Sequence, residues 1–177
     1  MWRLKFGKLS AWDVAYAVDM AIACLITYWL MTLVVSPLTR ESSELVGVLW
    51  ALIATIFVFR NTRVESLSAG IARLIATCVS FALCLCYLLL FPFTPLGLAA
   101  LLVLGTLVMM GFGRRDEIGL TAVTTAVVMV VAAIETHEAW LQPLHRLIDT
   151  LIGVGIGIAC KWVASFAFYR IIGKQVH

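Results

Sequence analysis

Lysine and aspartate are rare inside long apolar segments, yet this chain of 177 residues places both in its last one. Asp149, Gly153, Gly157 and Lys161 follow one another at intervals of four, so on a helix they stack into one stripe. At about 1.5 Å per residue, Lys161 lies roughly 18 Å along the axis from Asp149. A charged, glycine-lined face in a membrane helix turns to protein or water and away from lipid. That makes this stripe the first candidate for a transport path. An unpaired ammonium near mid-membrane costs about 2.5–3.5 kcal/mol on the insertion scale, so Lys161 needs a partner or a hydrated cavity. Three roles are open to it: lining a path, holding an ion pair, or snorkelling to the headgroups on its four-carbon stem.

A second stripe runs through Ser66, Gly70, Arg73, Thr77, Ser80 and Cys84, spaced four, three, four, three, four. It is one continuous small and polar face. It serves either as a close-packing seam or as a binding face on which the Arg73 guanidinium takes an anion, with Thr77 beside it. The intramembrane acids are Asp19 and Asp149. Either carries a proton if burial raises its affinity for one. Asp19 is the first choice, because Asp149 stands one turn from Arg146 and is also that arginine's natural partner. Thr121, Thr124 and Thr125 read as packing and hydrogen-bonding residues, and His137 and His145 as solvated ones.

The elements that must position these residues follow from composition. The chain is 63% hydrophobic and 13% charged, against about 45–50% and 25% for soluble domains. Several continuous apolar runs reach the ~20 residues that cross a bilayer. The expected fold is an all-α, polytopic membrane domain over 13–172. Its six transmembrane helices are placed at about 13–35, 45–59, 66–90, 95–112, 117–134 and 144–172. A basic interfacial segment bearing Trp2 and Trp12 (1–12) precedes the domain, and a short tail (173–177) follows it. Five cysteines lie in apolar runs without metal spacing and read as small hydrophobes.

Lysine and arginine set the orientation. Taking ends and links alternately, one side receives Arg3, Lys5, Lys8, Arg60, Arg63, Arg114, Arg115, Arg170 and Lys174, and the other only Arg40 and Arg146. Both termini are therefore expected in the cytoplasm. Arg73-Leu74-Ile75-Ala76-Thr77 returns as Arg146-Leu147-Ile148-Asp149-Thr150, offset by 73 and three crossings later. Copies an odd number of crossings apart run in opposite directions, as in the inverted 3+3 repeats of many secondary transporters.

The stretch from Trp50-Ala51-Leu52 through Arg63, Leu67, Arg73 and Thr77, with Arg146, Thr150 and Gly153, resembles the fusaric acid resistance (FUSC) and aromatic acid exporter family. The resemblance covers roughly 45–160 and rests on an Arg-x-x-small-Thr-x-x-small pattern. Asp149 replaces one small residue, and the chain lacks the large cytoplasmic domain and second membrane half of the longer exporters. The resemblance implies a bacterial inner-membrane protein that exports aromatic carboxylates with proton coupling. It also implies a homo-oligomer, most simply a dimer.

The functional expectation is thus a secondary transporter of organic, first of all aromatic, carboxylates. Arg73 and Lys161 attract the anion, Thr77 lies beside it, Trp50 and Phe59 stack on its ring, and Asp19 or Asp149 takes the coupling proton. A passive anion channel and a non-transporting subunit of a larger complex are the alternatives. Without a Gly-rich phosphate loop or a Ser/His/Asp or metal constellation, neither ATP drive nor an enzyme is expected, and no cofactor. The basic residues are juxtamembrane, so the expected partners are the organic anion and membrane lipid, with no nucleic acid.

Overall fold

A computed structural model describes residues 10–35, 44–134 and 139–172. The expectations for the basic start of the chain with Arg3, Lys5 and Lys8, for the link with Arg40, for His137 and Glu138, and for the tail with Lys174 lie outside the described residues. Among those described, every regular element is helical. The chain forms α1 (Ala11–Leu30), running on through a π-helical turn at Met31–Val35, and then α2 (Glu44–Val58), α3 (Arg63–Leu90) and α4 (Pro95–Gly111). Single 3-10 turns at Arg115–Glu117 and Ala139–Leu141 lead into α5 (Ile118–Ile134) and α6 (Gln142–Ile172).

Local chemistry sets the ends. Ser10 and Asp13 form a capping box on α1, with the Ser10 N–H donating to Asp13 Oδ2 at 2.8 Å. The Thr62 hydroxyl accepts from the Glu65 N–H at 3.2 Å. That cap starts α3 three residues before the expected Ser66, because a cap outweighs the charges of Arg63 and Glu65. Thr94 accepts from the Gly97 N–H at 3.0 Å and Pro95 occupies the first turn of α4. Gly113 ends that helix at φ +70°, where the Arg114 N–H reaches the Met109 carbonyl at 2.9 Å.

Among the described residues, four stretches are long and apolar enough to cross a membrane: Trp12–Leu33, Arg63–Leu90, Arg115–Ile134 and Ala139–Phe166. Leu45–Val58 and Pro95–Gly111 are apolar but shorter. At 1.5 Å per residue α2 and α4 reach about 22 and 26 Å, under the ~30 Å hydrocarbon thickness. Among the described residues the chain is thus an all-helical membrane protein of six helices, four of full spanning length.

The long helices α3 and α6 form the central pair. α1 and α2 lie against α6, while α5 lies against α3 and carries α4 outside it. The interior is built from small and hydroxylated residues, as expected where lipid is as apolar as leucine and association depends on close packing and hydrogen bonds. Ala51, Ala54, Ala76 and seven threonines are buried, whereas Val14, Val18 and Leu25 on α1 and Leu96, Val103 and Leu107 on α4 face outward.

One expectation is corrected by this packing. The glycines between Asp149 and Lys161 do not open onto a path, because α2 fills them. A Cβ on Gly153 would run into the Ala51 carbonyl and come within 2.8 Å of the Ala54 Cβ, and one on Gly157 would sit 3.2 Å from the Thr55 carbonyl. The glycines are there so that two backbones can approach. Thr55 joins the same seam, its hydroxyl reaching the Gly153 carbonyl at 3.0 Å and the Thr27 hydroxyl at 2.9 Å.

Candidate functional site

Arg73 is a fully buried cation. It stands ten residues into α3, about 15 Å from that helix's start, and is 1% exposed. Its guanidinium lies over the Trp50 ring at 4.9 Å and the Phe57 ring at 5.3 Å. Arg73 therefore turns inward and does not snorkel. Its Nε and Nη2 are buried and have no hydrogen-bond partner among the described residues. Two faces of aromatic π density offset part of the cost of that burial. The N–H donors remain available in the ring plane, where a carboxylate would be held in a fork.

α2 supplies both rings, because Trp50 and Phe57 are two helical turns apart on one face. Trp50 is fixed by its indole N–H, which donates to Thr150 Oγ1 at 3.0 Å. Thr150 in turn donates to the Arg146 carbonyl at 2.7 Å. Thr77 makes the matching bond to the Arg73 carbonyl at 2.9 Å. Its single hydrogen is thus spent on its own helix.

A second station stands where α1, α2 and α6 meet. The Lys161 ammonium lies over Tyr16 at 5.1 Å and Phe59 at 5.0 Å. The two rings meet edge to face at 5.4 Å, and the Tyr16 hydroxyl donates to the Phe59 carbonyl at 3.0 Å. Asp19 and Glu65 interact electrostatically with Lys161. Close by, the Arg63 guanidinium lies 5.7 Å from the Trp162 ring. The third station, at the start of α6, is the buried ion pair of Arg146 with Asp149 at 2.8 Å. Asp149 is therefore a pairing residue in this arrangement.

The structure separates what the sequence grouped. Trp50 serves Arg73 and Phe59 serves Lys161, with about 13.5 Å of α2 between the two aromatic positions. Trp50, Arg73 and Thr77 come together, as do Phe59, Lys161 and Asp19, and Asp149 joins neither set. Phe57 and Thr55 are additions that sequence reasoning missed. The spacing of seven between Trp50 and Phe57 was the available signal for the first.

A model of the fusaric acid resistance protein-like family matches residues 22–160. The chain belongs to that family. Neither the curated proteins nor the solved structures gave a match. The fusaric acid resistance protein-like stretch contains Trp50, Arg73, Thr77, Arg146 and Asp149. Tyr16 and Asp19 precede it and Lys161 follows its last residue. The Arg73 station and the Arg146–Asp149 pair thus lie wholly within the family's matched region, and the Lys161 station does not.

Proposed function

We propose that this protein carries organic anions, first of all aromatic carboxylates, out of the cytoplasm across an inner membrane. It works as a proton-coupled homo-oligomer, most simply a dimer. The observation that carries this reading is Arg73. A buried guanidinium with unpartnered donors between two aromatic rings matches a carboxylate on one side and an arene on the other. Lys161 is the second attractive point, and Asp19 the group that exchanges a proton. A carboxylate arriving at Lys161 competes with Asp19 for the same ammonium. Protonation of Asp19 frees Lys161 for the anion, and release of the anion returns Lys161 to Asp19. In this exchange proton and anion are loaded together and move in the same direction, so an imposed pH gradient drives the anion along with the proton.

The same reading takes all six helices as crossings and the two halves as an inverted repeat. Support comes from equivalent bonds. Thr77 to the Arg73 carbonyl pairs with Thr150 to the Arg146 carbonyl. Ser80 of α3 bonds Thr125 of α5 at 2.9 Å, while Gly153 of α6 takes a bond from Thr55 of α2 at 3.0 Å. Ser80 and Gly153 stand at the same offset of 73 as the two arginines. The seam of α2 on Gly153 and Gly157 then closes the route, and its parting on substrate release is the transport step.

The test is flux of a radiolabelled aromatic carboxylate in proteoliposomes, with and without a pH gradient. The expected result is flux driven by the gradient, and Asp19→Asn should leave downhill flux while removing its response to pH. Flux that follows the anion gradient alone identifies a passive channel. No flux from the purified protein, with a partner copurifying, identifies a non-transporting subunit.

A further inference from the structure

The first half of α3 borders a groove of about 400 Å³ lined by Arg60, Glu65, Ser68, Ala69 and Ala72. Neither aromatic station uses it. Its volume falls in the range of roughly 300–1,000 Å³ typical of ligand clefts. The mouth carries one guanidinium and one carboxylate, both on exposed residues. Neither Arg60 nor Glu65 has an ion-pair partner among the described residues. Glu65 lies in electrostatic reach of Lys161, but that ammonium is turned to the Tyr16 and Phe59 rings.

We propose that this groove holds the headgroup of one zwitterionic phospholipid of the phosphatidylethanolamine type, its phosphate on Arg60 and its ammonium on Glu65. Three features of the site select this occupant. Opposite charges at the mouth match a zwitterion, whereas an anionic headgroup such as glycerol phosphate leaves Glu65 facing a negative charge. A primary ammonium donates hydrogen bonds to the Glu65 carboxylate. A trimethylated one donates none. Depth agrees as well. From Glu65 to Ala72 is about 10 Å along the helix, comparable to the ~5–8 Å headgroup layer on each side of a bilayer with the first acyl carbons beneath it. The charged end lies at the helix start and the alanines lie deeper. The neighbouring ridge of Val64, Leu67 and Ile71 is exposed and apolar, as an acyl-chain contact requires.

Native mass spectrometry of the purified full chain tests this. The probes are phosphatidylethanolamine, phosphatidylcholine and phosphatidylglycerol with identical acyl chains. Retention of the ethanolamine lipid should exceed that of either other by fivefold or more. Glu65→Gln should bring the three to parity. Ala72→Leu should reduce retention of all of them, with helical content by circular dichroism unchanged in both variants. Equal retention by the unaltered protein overturns the proposal, as does an ethanolamine preference that survives Glu65→Gln and Ala72→Leu together. Displacement of the lipid by benzoate reassigns the groove to a soluble anion. Efficient disulfide cross-linking of two Ala69→Cys chains through this groove reassigns it to a second copy. Either outcome also overturns the proposal. Failure of the flux experiment leaves the lipid measurement untouched, so the two readings fall separately.

Discussion

Arg73 and Lys161 hold their charge in different ways, and their variants should differ accordingly. Arg73 depends on a planar fork between two rings. Arg73→Lys retains the charge and loses the paired donors, so it should lower flux at least tenfold, nearly as far as Arg73→Ala. In the proposed mechanism Lys161 is a point charge exchanged between Asp19 and the substrate, so Lys161→Ala should abolish export while membrane insertion and assembly stay as they were. Radiolabelled flux in proteoliposomes, with protein amount set by immunoblot, measures both. Arg73 and Lys161 were legible in the sequence because a charge inside an apolar run is conspicuous. Their surroundings were less so. An aromatic residue in a Leu-rich chain carries no mark of which cation it covers, so the sequence did not show that Trp50 lies by Arg73 and Phe59 by Lys161.

At the scale of the helices, the α2–α6 seam is the contact with least slack. Gly153→Ala places a methyl group against the Ala51 carbonyl and should cost about 1–3 kcal/mol by overpacking. Gly155 has nothing within 4 Å of such a group, and Gly155→Ala should be neutral or stabilising by up to about 1 kcal/mol through helix propensity. Reversible unfolding in mixed detergent micelles measures the contrast, and equal effects at the two positions would contradict the seam. The helices themselves were legible from apolar runs, caps and breakers, with boundaries moving by one to three residues where Thr62 and Gly113 set the ends. The seam was not. A stripe of glycines shows that something approaches closely, but water, substrate and a neighbouring backbone leave the same trace in the sequence. Only the position of α2, fixed by Thr55 and Trp50 bonding to α6, decides it.

For the molecule as a whole, the excess of basic residues on alternate links predicts the orientation of the bundle, and labelling can check it. In a cysteine-free background, cysteines at 40 and 137 should react with an impermeant maleimide from outside. Those at 60 and 115 should react only after permeabilisation. A 60 or 115 position labelled from outside would break the six-crossing topology. The family was legible from the Arg-Thr pattern of α3 and α6. The Arg146–Asp149 pair was legible from its spacing. The separate surroundings of Arg73 and Lys161 were not, since they depend on how α2 lies against α3 and how α1 and α2 close around α6. The central claim is that Arg73, held between Trp50 and Phe57, receives the carboxylate of the transported anion. Its most direct test is equilibrium binding of a radiolabelled aromatic carboxylate to the purified protein, beside its uncharged amide analogue, in wild type and Arg73→Ala. The carboxylate should bind wild type at least tenfold more tightly than the amide does, and Arg73→Ala should erase that difference. A preference for the carboxylate that persists without Arg73 would contradict the account.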